Sequence, residues 1–231
     1  MRYLGLLTLL FFATTAQAAT DTQVELLSSA TAVINEILDS PDEQVPTELL
    51  SKTSAIIVFP TMLKGGFMFA ARFGQGVVTA RSRTTGEWSP PSFMTTLGGS
   101  FGFQIGAEAV DLILLVMTQR GIDGLLRDKF TLGADAAVSA GPVGRHAEAS
   151  SDIMMQGEIY SYSRSKGAFA GISLDGTIIS TDQKSNEAYY GKALTPVDIL
   201  FDGKVVKTPE SAKRFIKEMN RLAPPPKPPA R

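Results

Sequence analysis

Five basic residues of this 231-residue chain sit in short, non-repetitive motifs. Arg81 and Arg83 are two apart on a strand-like segment and so share a face. Arg164 and Lys166 are likewise two apart, just beyond Tyr160 and Tyr162, and Arg145 follows a Gly-Pro-Val-Gly run. A guanidinium presents a planar fork of N–H donors that matches pairs of phosphate oxygens. Any two of these groups brought together would form a site for a phosphate or an anionic lipid headgroup. Arg120, Arg127 and Lys129, around a central helical stretch, offer a further basic group.

Catalytic chemistry finds less to work with. The chain has no cysteine and a single histidine, His146, so the usual zinc cages cannot be built and a Ser-His-Asp arrangement would have to use that one residue. No serine sits in a Gly-x-Ser-x-Gly elbow. A carboxylate hydrolase would require Glu108, Asp111 and Asp135 to converge on one cleft. Gly98-Gly99-Ser100-Phe101-Gly102 lacks the Gly-Lys-Ser/Thr ending of a phosphate loop and leads into an alternating strand, where glycine serves sheet curvature. No calcium-loop pattern occurs. These residues point to a binding protein without enzymatic activity or cofactor. The formal net charge of −1 supplies no field for nucleic acid.

The elements that would position these groups read as follows. Residues 1–18 have the form of a signal peptide: Arg2, an apolar run from Leu4 to Ala13, then Ala16-Gln17-Ala18. Cleavage is expected after Ala18, which places the protein in a periplasm. Without a cysteine, lipoprotein anchoring is excluded. Residues 19–45 hold an amphipathic helix from Thr20 to Leu38, capped by Thr20 or Asp21 and acidic on its polar face. Residues 46–222 form the main domain. Ala55–Phe59 reads as a buried strand ended by Pro60, Phe67–Phe73 alternates with period two, and strands follow at Val77–Arg83, Phe101–Ile105 and Leu112–Met117. A helix at Gln119–Lys129 precedes strands at Ala136–Ala140, Glu158–Ser163, Ala168–Leu174 and Thr177–Ser180. A last helix runs from Pro209 to Leu222, and 223–231 is a proline-rich disordered tail. The expected fold is α+β: one domain around a curved, mainly antiparallel sheet or partial barrel with flanking helices.

Several blocks resemble the SYLF family in order and spacing. They are Gly65-Gly66-Phe67, Trp88-Ser89-Pro90-Pro91, Gly102-Phe103-Gln104-Ile105-Gly106, Leu132-Gly133-Ala134-Asp135, Ala140 to Arg145, Tyr160 to Gly167, and Tyr190-Gly191. The resemblance implies a lipid-binding module. It also brings an association with phosphoinositide membranes in eukaryotic members and with actin filaments in fungal ones. The acidic N-terminal helix differs from the basic one of eukaryotic members, and no SH3 or FYVE module accompanies the domain. The expectation is an exported module that holds an anionic lipid or membrane surface through Arg145, Arg164 and Lys166, with Arg81 and Arg83 as further candidates. The alternative is an envelope protein-interaction module that uses the proline-rich tail.

Overall fold

The computed structural model describes residues 4–38, 45–67, 69–101, 106–127, 129–142, 157–165, 168–169 and 174–225. Its centre is a pair of strands made almost wholly of apolar residues. In β1 (Ala55–Phe67) the run Ala55–Phe59 is fully buried, and so is Leu112–Val116 of β4 (Gly106–Val116). The two pair antiparallel, Ala55 opposite Val116 and Phe59 opposite Leu112. A continuous apolar run has no polar face to show water, so such strands must be covered on both sides.

Around this pair lie β2 (Phe69–Ala80), β3 (Ser92–Phe101), β5 (Lys129–Thr131), β6 (Val138–Ala140), β7 (Ile159–Ser165), β8 (Ala168–Phe169) and β9 (Ile178–Thr181). The order across the sheet is β5-β9-β3-β2-β1-β4-β7-β6, with β8 hairpinned onto β7. All pairings are antiparallel except β6 with β7. The sheet is strongly curled, a half-barrel in an α+β domain.

Helices cover one face. α1 (Leu4–Leu38) buries Leu27, Ala30, Val33, Ile34 and Ile37 against Ile56, Val58, Ile113 and Leu115. α2 (Thr47–Lys52), α4 (Gln183–Tyr190) and α6 (Glu210–Leu222) pack beside it. The other face carries Ile57, Phe59, Leu112 and Leu114 under α3 (Gln119–Leu125), Phe130 and α5 (Pro196–Leu200). No described helix is long and apolar enough to cross a membrane.

Several local expectations are corrected. Pro60 does not end β1. The strand passes through it with a register shift between Phe59 and Met62, at which Thr61 takes φ 56° and donates its N–H to Asp111. A proline lacks the ladder donor, and a bulge is where a strand tolerates that loss. Phe67 to Phe73 is not one strand: β1 ends at Phe67 and β2 begins at Phe69, and these two residues pair across the hairpin. Thr20 and Asp21 lie inside α1 instead of capping it, because the helix begins at Leu4. α4 and α5 were not anticipated. Asp182 caps the first, which ends on the left-handed Gly191, and a Thr195–Asp198 capping box opens the second. Ala223, assigned by sequence to the tail, is fully buried.

Ala223 is buried because Arg81 holds it. The Arg81 guanidinium lies inside the domain, donating from Nε to the Thr53 carbonyl at 3.0 Å and from Nη1 to Gly86 at 3.0 Å. Its Nη2 donates to Leu50 at 3.2 Å and to Ala223 at 2.9 Å. Its carbon stands 4.2 Å from the centre of the Trp88 ring, and Trp88 Nε1 donates to the same Ala223 carbonyl at 2.8 Å. Burial pulls the Arg81 pKa down to about 10, which leaves it charged at neutral pH. Arg81→Ala is expected to lower unfolding stability by roughly 3 kcal/mol or more, since it strands carbonyls of three segments. Arg81→Lys should recover only part, because an ammonium cannot span the four acceptors. Urea unfolding of the two variants checks both.

Candidate functional site

β1 and β2 are long, 13 and 12 residues, and their hairpin end reaches beyond the helices. Along this outer half the alternation is clean. Met62, Arg72, Gly74, Thr96 and Val110 are buried on one face, while Leu63, Phe73, Leu97 and Ala109 are exposed on the other. The register places the exposed four side by side: Leu97 opposite Phe73, Phe73 opposite Leu63, Leu63 opposite Ala109. Leu63, Phe73 and Leu97 are 58%, 53% and 57% exposed, against a core in which residues of the same strands are at 0%. Ala71 and Gly99 continue this face outward and Gln75 lies between Phe73 and Val77; all three are exposed and none adds charge.

This bare row continues the face that α1 covers, since the helix-covered Val77, Phe93 and Ile113 have the same strand parity as Phe73, Leu97 and Ala109. The boundary between covered and bare sheet is polar. Glu36, near the C-terminal end of α1, forms an ion pair with Arg164 of β7, which also reaches Asp111 of β4 at 3.3 Å. Asp111 in turn accepts the Thr61 N–H at the β1 bulge, at 2.9 Å. One carboxylate thus ties the bulge to the arginine that meets the helix.

Of the five basic residues singled out by sequence, Arg164 is the one seen at this boundary, and it stands between two carboxylates. Arg81 is an internal clamp. Arg83 shares no strand face with it. It is exposed in the turn after β2, 5.9 Å from the centre of the Phe201 ring, at the opposite end of the sheet. Arg145 and Lys166 lie outside the described residues, as does His146. Asp111 and Asp135 do not share a cleft. Asp135 accepts from the Thr131 N–H and faces Arg127, while Asp111 has the partners named above. Among the described residues no cluster of acids or histidine could hold a metal ion.

Sequence reading missed the bare row because Phe67–Phe73 looked like one strand. The sign was there in the alternation of Ala71 and Phe73 with Arg72 and Gly74, which puts the large apolar side chain on one face and the arginine on the other.

Comparison with known proteins shows the family. The chain belongs to the Ysc84, or SYLF, family: the family described as a Las17-binding protein actin regulator matches residues 97–222. LAS seventeen-binding protein 3 of Saccharomyces cerevisiae is 36% identical over 162 residues, 69% of this chain and 35% of that protein. SH3 domain-containing YSC84-like protein 1 of Homo sapiens is 32% identical over 164 residues, covering 71% and 47%. Protein YSC84 of S. cerevisiae is 34% identical over 185 residues, covering 79% and 39%. The chain therefore spans about a third to a half of the curated relatives it matches. Their names are those of binding or regulatory proteins, not enzymes.

A surface row adds little to stability. Leu63→Ser, Phe73→Ser and Leu97→Ser together should shift unfolding by less than about 1 kcal/mol, whereas Ile57→Ala alone should cost about 2–5 kcal/mol. Calorimetric melting of the two variants makes the comparison.

Proposed function

We propose that this protein is a non-catalytic module that rests the bare end of its sheet on an anionic bilayer. The observation that carries the reading is the row of Leu63, Phe73 and Leu97, each more than half exposed and adjacent across three strands. A contiguous apolar patch held outside the core marks a surface made to be covered. A stable dimer buries ~800 Å² per partner, more than three side chains can supply, while a bilayer interface needs no matched counter-surface. Arg145 and Lys166, in motifs flanking β6 and β7, are assigned the headgroup contact. Arg164 positions β7 against α1 and borders the patch. The signal-like residues 1–18 support export, which would place that bilayer in the cell envelope.

A second reading, a protein partner, is favoured by the names of the relatives and of the family, which describe LAS seventeen-binding proteins and an actin regulator. The two separate in one experiment. In co-sedimentation with phosphatidylglycerol-containing and neutral vesicles, the wild type should bind the anionic ones, with binding weakened by salt. The variant with Leu63→Ser, Phe73→Ser and Leu97→Ser should lose about tenfold or more in partition, the equivalent of about 1.4 kcal/mol of apolar burial. Equal partition of variant and wild type removes the bilayer assignment and leaves the protein-partner reading.

A further inference from the structure

At the end of the sheet away from the hairpin, the α2 terminus, the turn 82–86 and α3 enclose an open cleft of about 960 Å³. A slot of about 360 Å³ adjoins it through Ser82, Arg83, Thr84 and Phe201. The far wall of the slot is apolar, made by Leu126, Val197 and Leu200. No residue lining either space is acidic, and Lys52, Arg81 and Arg83 give the cleft a positive charge.

What the wall offers a ligand depends on which of its hydrogens are already given away. The Ser51 hydroxyl donates to the Glu48 carbonyl at 2.8 Å, and that of Ser54 to the Met117 carbonyl at 3.4 Å. A hydroxyl with its one hydrogen committed meets a newcomer as an acceptor. Arg81 has four of its five N–H groups on backbone carbonyls, and Lys52 is paired with Glu48 at the rim. Arg83 is different. It is exposed, has no carboxylate partner among the described residues, and stands 5.9 Å from the centre of the Phe201 ring. Its turn is fixed in advance, because Ser82 Oγ accepts the N–H groups of Thr84 and Thr85 at 3.3 and 3.2 Å. Binding there costs little loop ordering.

The wall therefore makes three demands: an anion at Arg83, an apolar group beside it for the slot, and N–H donors for Ser51 and Ser54. The C-terminus of a polypeptide meets all three. Its planar carboxylate matches the guanidinium fork. Its last side chain leaves the adjoining carbon, and its backbone supplies one N–H per residue. A phosphate or a fatty acid meets the first demand but brings no N–H to the hydroxyl wall. Capture of a terminal carboxylate is a recurring mode of peptide recognition.

We propose that cleft and slot together bind the C-terminus of a partner polypeptide whose last residue is apolar. Arg83 takes the carboxylate, Val197 and Leu200 face the last side chain, and Ser51 and Ser54 accept backbone N–H groups. The site is separate from the bare row at the hairpin end and does not depend on the bilayer reading. The probe is an N-acetylated alanine peptide ending in leucine, titrated into the full chain while NMR follows the arginine side-chain N–H signals. Its companions are the same peptide with an amidated C-terminus and one ending in serine.

The leucine acid should bind and shift the Arg83 Nε signal. Amidation and a terminal serine should each weaken binding at least about tenfold, through loss of a charge-assisted pair or of a buried leucine. Arg83→Glu, at an exposed turn, should keep the wild-type melting temperature and bring acid and amide to equal affinity. Val197→Ser should weaken the leucine peptide and leave the serine one unchanged. No binding of the leucine acid, equal binding of its amide, or unchanged affinity in Arg83→Glu would each overturn the proposal. So would displacement of the peptide by inorganic phosphate at the same concentration, which would make the cleft a general anion site.

Discussion

Arg81 is the contact on which the two ends of the chain depend. A charged side chain inside a protein is tolerated only when its desolvation is offset by good geometry, and here four carbonyls and an indole face supply it. The acceptors come from places far apart in sequence. Leu50 and Thr53 close α2, Gly86 ends the turn after β2, and Ala223 ends α6. Because Trp88 donates to the same Ala223 oxygen, the last helix is fixed to the sheet by two donors at one atom. α6 in turn packs against α1, with Arg221 reaching Asn35 at 2.8 Å. The helical layer that covers one sheet face is thus anchored at a point outside that face.

The reach of that layer decides what the sheet leaves bare. The helical layer covers Val77, Phe93 and Ile113, with Tyr189 of α4 edge-on to Phe93, and the polar contact of α1 with the sheet is made where Glu36 meets Arg164. Past that point the strands continue with the same parity, but no described helix lies over them. An ordinary two-layer domain would switch to polar residues there, because an uncovered face is solvated. This one keeps Leu, Phe and Leu on the uncovered side while its opposite side stays packed through Met62 and Val110. The strand pairing itself is intact across the change, so the exposure is a property of sequence placed on a rigid support.

The fold class was legible from the punctuation of short strands, and the central strands from their unbroken apolar runs. What sequence could not give was continuity. Pro60 looks like a stop because a proline cannot donate to a ladder, yet Asp111, 50 residues beyond Thr61, accepts the Thr61 N–H where the chain bulges and goes on. α4 was hidden because its buried face is partly polar. Asn186 is fully buried, its side-chain oxygen accepting the Phe93 N–H at 2.8 Å, so no apolar period marks it. Arg81 and Arg83 were paired by spacing, but the strand ends at Ala80 and the turn sends them to different places, one inward and one out.

The same comparison bears on what family membership transfers. Several blocks that carry the resemblance prove to be packing devices. Trp88 holds Ala223, and Pro91 accepts from Tyr190 on α4. Gly141 gives way to Tyr162, whose ring would lie 2.1 Å from any Cβ placed there. Gly191 supplies the left-handed end of α4 that a side chain disfavours. Residues of this kind specify how helices and strands lock together. Membership therefore rests on such packing contacts, whereas the proposed bilayer contact draws on the bare row of Leu63, Phe73 and Leu97, which the motifs do not include, and on Arg145 and Lys166, which they do.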